Sequence, residues 1–168
     1  MTRTHALLLV LALSATGCRA ARERRTERLA GAVAGAVGAA DTAQYLTPFG
    51  APTRPFSPAV RVGNLIFLSG QIGTDAASAN ANTLVPGGIE AETRQTLENI
   101  RTTLAAVGSS MDKVVKCTVM MADMKEWDRM NVVYRGFFKP GHLPARSALG
   151  ANGLALNARV EIECIATA

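Results

Sequence analysis

Over its last two thirds the chain alternates short apolar, β-prone runs with two stripes of helical period. Residues 59–62 and 65–68 are apolar runs separated by Gly63-Asn64, the signature of a two-residue hairpin turn. Residues 73–88, rich in Ala, Asn and Gly, read as an exposed loop. Ile89, Leu97, Ile100, Leu104 and Val107 then recur among polar neighbours as one face of a helix that Gly108 terminates. Residues 114–121 predict a central strand with Lys116 and Thr118 on one side and Val115, Cys117, Val119 and Met121 on the other. A second helix over 125–138 puts Trp127, Met130, Tyr134 and Phe137 on one face, an aromatic stripe read as core, before Pro140-Gly141 stops it. Two further extended segments flank Asn152-Gly153, a pair that favours a tight reversal. The order is ββαβαββ, an α+β domain with two helices on one face of a mixed sheet.

The last strand carries Ala158, Val160, Ile162 and Cys164 on one side and Arg159, Glu161 and Glu163 on the other. Two readings fit this polar stripe. It is a strand with one face in water, or it lines a pocket with the segment Pro144-Ala145-Arg146-Ser147. In the second case Arg146 offers a planar fork for a ligand carboxylate, and a desolvated glutamate has its pKa raised toward a value useful for moving protons. Pairing the two segments through the Asn152-Gly153 turn would bring the unlike charges together.

The 168 residues suffice for one ordinary domain, and 48% hydrophobic residues can build its core. Residues 1–18 look like an export signal: Arg3, the apolar run 7–13, and Ala15-Thr16-Gly17 before Cys18. Small residues before a cysteine resemble the lipobox of bacterial lipoproteins, which predicts an acylated Cys18 and a periplasmic or membrane-anchored protein. Simple secretion, or a mis-assigned start before a cytoplasmic chain, are the alternatives. Residues 19–55 read as a linker, basic at first and then rich in Gly, Ala and Pro, with the folded domain over 56–168.

The net charge of +5 raises the question of nucleic acid, and its location answers it. Residues 19–28 hold five arginines against two glutamates, whereas from Phe56 onward eleven Lys or Arg meet ten Asp or Glu. The basicity belongs to the tail, where beside a lipidated Cys18 it would lean on anionic headgroups or simply be solvated. The body offers no basic groove for RNA. Cys117 and Cys164 fall on apolar faces and are expected as buried free thiols in preference to a disulfide. With no Cys-x-x-Cys and only His5 and His142, no metal site is expected.

Several patches in one order then resemble a known family: Gly63-Asn64-Leu65-Ile66-Phe67-Leu68-Ser69-Gly70-Gln71-Ile72, Thr96-Leu97-Glu98-Asn99-Ile100, Val114-Val115-Lys116, Asn131-Val132-Val133-Tyr134 with Phe137-Phe138, Pro144-Ala145-Arg146-Ser147 and Val160-Glu161-Ile162-Glu163. Over residues 53–168 the chain is similar to the RidA/YjgF family of enamine and imine deaminases. The resemblance implies a chorismate-mutase-like domain, three subunits closing their sheets into a trimeric barrel with a cleft at each interface. It implies that Arg146 holds the carboxylate of 2-aminoacrylate or a related 2-imino acid and that Glu161 positions or activates the attacking water. Phe56, Ser69, Gly70 and Asn131 correspond to further cleft-lining, substrate-binding positions, and no cofactor is required.

Three positions depart from the family pattern. Phe56 stands where the deaminases usually carry tyrosine, Ala148 where many carry cysteine, and Gly73 where proline is common. Phe56 and Ala148 favour an alternative of another class, a non-catalytic trimer that binds a small carboxylate.

Overall fold

The computed structural model describes residues 24–27, 42–51, 54–75 and 83–168. The chain divides into two units, Met1–Asp41 and Thr42–Ala168. In the first, residues 24–27 are helical and exposed, inside the segment expected as linker; the export signal, Cys18 and the Gly/Ala run 29–40 lie outside the described residues.

The second unit is a seven-stranded mixed sheet with two α-helices: β1 Gln44–Leu46, β2 Ala59–Val62, β3 Leu65–Leu68, β4 Gln71–Ile72, α1 Gly88–Ala106, β5 Val114–Met121, α2 Trp127–Arg135, β6 Ala145–Gly150 and β7 Val160–Thr167. The strands run β1-β2-β3-β7-β5-β6, with β4 pairing to the start of β7. Among the described residues β5 and β6 run parallel and the other strand pairs are antiparallel.

The first hairpin forms as its sequence predicts, because turn and pattern agree locally. Gly63 takes φ +56°, the left-handed region that opens a two-residue turn, and Val62 faces Leu65 across it. In α1 the expected stripe is buried at Ile89, Leu97, Ile100 and Leu104. Gly108 ends that helix, its N–H donating to the Ala105 carbonyl while Ser109 N–H returns to Leu104. The helices cover one sheet face, and Ile66, Val119, Met121, Met130, Val160 and Ile162 are fully buried between the layers. Complete burial of each such side chain contributes about 1.5–3 kcal/mol.

Four expectations are corrected. Residues 44–46, expected as linker, form β1 and pair with β2, Tyr45 opposite Val60. Val115 is not on the core side of β5: the β5–β7 register shifts between Val114 and Lys116, so Val114 turns inward and Val115 is exposed, as a bulge requires. The segments around Arg146 and Glu161 do not pair with each other. Both pair with β5, β6 as its parallel and β7 as its antiparallel neighbour, so the chain reverses between them but crosses β5 as it does so, through a 3-10 turn over Ala155–Asn157 with Leu156 and Asn157 at positive φ.

The fourth concerns the cysteines, which are not free thiols. Cys117 and Cys164 face each other directly in the antiparallel β5–β7 register, their Cα atoms 4.1 Å apart, and are joined by a disulfide. Both are buried on the helix-covered face. Closing a loop 47 residues long in the unfolded chain stabilises the fold by about 2–4 kcal/mol.

Candidate active site

Which way each side chain points follows from the register, because residues paired across strands share a face. Arg146 lies in one row with Cys117 and Cys164, and Glu161 in one row with Met120 and Leu149. Cys117 and Cys164 are buried under the helices, while Leu149 is exposed. Arg146 therefore belongs to the helix-covered face and Glu161 to the open one. A hydrogen bond from Lys116 Nζ to Ser147 Oγ, 2.9 Å, marks the open face beside them.

On the covered face, α2 meets the guanidinium with three side chains. Arg146 Nη1 donates to Asn131 Oδ1 at 2.7 Å, and Arg146 Cζ lies 4.9 Å from the Trp127 ring centroid and 4.7 Å from that of Tyr134. Residues 127, 131 and 134 are spaced i, i+4 and i+7 and so share one helix face. Burial pushes the Tyr134 hydroxyl up to about 12, against the opposing pull of the Arg146 charge, and among the described residues that hydroxyl has no hydrogen-bond partner. A cavity of about 650 Å³ opens beside the cluster, lined by Asp128, Asn131, Val132, Tyr134, Arg135, Leu143, Pro144 and Arg146. Among the described residues no carboxylate forms an ion pair with Arg146.

On the open face Glu161 lies against the Gly70 backbone. A Cβ at Gly70 would overlap Glu161 Oε1 and sit 3.0 Å from its Cδ, so only glycine admits the carboxylate here. The Glu161 carboxyl is held above the usual glutamate value, first by burial and second by the charge of Glu163. Ser69 Oγ donates to the Ser57 carbonyl at 2.7 Å, and Ser69 N–H donates to that of Pro58. The serine thus fastens the segment carrying Phe56, whose half-exposed ring stands 6.0 Å from Arg54 Cζ beside a cavity of about 270 Å³.

The predicted residues accordingly fall into two groups. Asn131 joins Arg146; Gly70 joins Glu161, with Ser69 and the Phe56 segment next to it. Within one chain the groups do not meet: they occupy opposite faces, two strands apart and three positions along, which separates the Arg146 and Glu161 Cα atoms by about 14 Å. Trp127 and Tyr134 were expected as core, and Tyr134 is buried in it with Trp127 packed against it; both rings also meet the guanidinium. Their spacing with Asn131 was visible in the sequence, but what that face would meet was not. Among the described residues no group of three or more His, Cys, Asp or Glu could hold a metal ion, and no described helix is long and apolar enough to cross a membrane.

Comparison with known proteins agrees on one family. The model of the Endoribonuclease L-PSP family matches residues 48–168. The 2-iminobutanoate/2-iminopropanoate deaminase of Mus musculus is 44% identical over 112 residues, 67% of this chain and 80% of the relative. That of Homo sapiens is 40% identical over 112 residues, covering 67% and 79%. The crystal structure of the YjgF gene product of E. coli superposes with a TM-score of 0.64 at 30% identity, covering 74% of this chain and 97% of that one. RidA from an Antarctic Psychrobacter gives 0.65 at 32% identity, covering 74% and 99%. The chain belongs to the Endoribonuclease L-PSP family, the family of RidA and YjgF.

Proposed function

We propose that this chain hydrolyses 2-imino acids, and the enamines that tautomerise to them, to 2-keto acids and ammonia in a site completed by a second copy of itself. The deaminase names of its relatives support the reaction class. The observation that carries the composite site is the placement of Arg146 and Glu161 on opposite faces of one sheet: an unaided chain cannot direct both at one substrate. The open face also presents Leu65, Phe67, Val115 and Leu149 without cover, a surface suited to burial against neighbouring copies. A homotrimer with clefts between its subunits satisfies both observations.

In such a cleft the Arg146 guanidinium of one protomer takes the substrate carboxylate, which fixes the imine carbon in place. Glu161 of its neighbour accepts a proton from a water molecule as the oxygen adds to the protonated imine carbon. The resulting carbinolamine receives that proton on nitrogen, the carbon–nitrogen bond breaks with its electron pair leaving on ammonia, and the hydroxyl proton is lost as the keto group forms. Water is the only co-reactant. The raised Glu161 pKa makes it a stronger base than an ordinary glutamate.

A role in binding without turnover is the second reading, favoured by Phe56, which keeps a ring but lacks a hydroxyl at a position usually tyrosine. The two separate in one assay on the purified protein with 2-iminobutanoate released by an amino-acid oxidase. Accelerated formation of 2-ketobutanoate and ammonia supports the enzyme; thermal stabilisation by 2-ketobutanoate without faster product formation supports the binding module. A nuclease has less support, since the body from Phe56 onward carries a net charge of only +1. Export, with Cys18 as a lipid anchor, remains part of the proposal, and a buried Cys117–Cys164 disulfide suits an oxidising compartment.

A further inference from the structure

Resting on the carboxylate-clamp reading, we infer that Trp127 and Tyr134 are positioning residues that hold the Arg146 guanidinium in the plane a carboxylate needs. An arginine side chain carries about 2 kcal/mol of rotamer entropy, and an arginine free to sample a cavity of about 650 Å³ would lose it on binding. Here that freedom is removed beforehand. Rings lie 4.9 Å and 4.7 Å from Cζ, and Asn131 Oδ1 fixes Nη1, so both the position and the rotation of the fork are determined from one helix face.

The cluster does not serve to neutralise charge. No acidic side chain among the described residues pairs with Arg146, although Asp128 lines the same cavity. Aromatic faces attract a guanidinium without occupying its in-plane donors, whereas a carboxylate partner would consume the edge a substrate requires. The arrangement keeps the cation oriented and unneutralised, which is what selection of an anionic ligand asks for.

Trp127 is the single tryptophan of the chain, so its fluorescence reports directly on this contact. Titrating the full-length protein with 2-ketobutanoate is expected to change its emission saturably, and Arg146→Ala to abolish the change. Trp127→Leu, which keeps apolar bulk but removes the π face, is expected to raise KM for 2-iminobutanoate about 2- to 30-fold with kcat altered less. Trp127→Phe restores most of the affinity, and the penalty vanishes for the corresponding imino amide, which has no carboxylate. The inference is overturned if emission stays constant while calorimetry shows 2-ketobutanoate binding, a result that stands whether or not the leucine variant folds. It is equally overturned if Trp127→Leu leaves KM unchanged or affects imino acid and amide alike. An Arg146→Ala variant with parental KM would remove the clamp reading itself, and this inference with it.

Discussion

Replacing Arg146 by alanine is expected to lower kcat/KM for 2-iminobutanoate by about 30- to 4,000-fold, the equivalent of the roughly 2–5 kcal/mol lost when one partner of a desolvated charge pair is truncated. Most of the loss is expected in KM, because the guanidinium grips a carboxylate that is present in both ground and transition state. The fold should survive. Arg146 has no ion-pair partner among the described residues to leave stranded, and the hydrogen bond it releases is to Asn131, a part-buried side chain that water can reach. Arg146→Lys is not a remedy: an ammonium keeps the charge but presents neither a planar face to the Trp127 and Tyr134 rings nor two parallel donors. Steady-state kinetics beside thermal melts of the variants checks this, and a parental kcat/KM in Arg146→Ala would reject the clamp.

Glu161→Gln is expected to cost about 10²- to 10⁴-fold in kcat, the range for removal of a positioned general base, with no loss of stability at neutral pH. The sign follows from the direction of the shift. The folded-state pKa of Glu161 lies above its ordinary value of 4.5, first through burial and then through Glu163, so the fold favours the protonated acid. That contribution is fully present below the unfolded pKa and is lost as pH rises through the folded one. At pH 7 the parent carries a desolvated carboxylate that the neutral glutamine spares it, and the variant should melt at the same temperature or higher. In activity the order is reversed. The carboxylate is the working form, so parental kcat/KM should climb with pH through a limb centred above 4.5, and the residual rate of Glu161→Gln should lack that limb. A stability gain joined to an activity loss is the mark of a group kept for chemistry.

Local features were the ones legible in the sequence. The 59–68 hairpin and the end of α1 depend on neighbours within a few residues, and both formed where turn and pattern placed them. The misplaced features all depended on partners distant in sequence. Gln44, Tyr45 and Leu46 are too few to show a period, and only the exposed edge of β2 makes them a strand. The chain does reverse after Asn152-Gly153, yet β6 and β7 lie on opposite edges of β5 instead of pairing with each other. Cys117 and Cys164 were correctly placed on one face each, but their direct opposition depends on a register set by β5 and β7 together.

The same limit applies to the candidate site. Alternation along β7 put Glu161 on a polar face, and helical spacing put Trp127, Asn131 and Tyr134 on one side of α2. That Arg146 would turn under that helix, away from Glu161, required knowing that its row runs through Cys117. Gly70 was legible as a cleft-lining position implied by the resemblance, and the group that packs against it is the Glu161 carboxylate.

The composite site is tested most directly by mixing two inactive chains. Arg146→Ala and Glu161→Gln, unfolded together and refolded as mixed oligomers, regain activity if each cleft takes its arginine from one copy and its glutamate from another. Random assortment in a ring then leaves about one cleft in four intact and about a quarter of parental activity. Mixed oligomers no more active than the two variants assayed separately would mean that the two groups do not act across a subunit boundary.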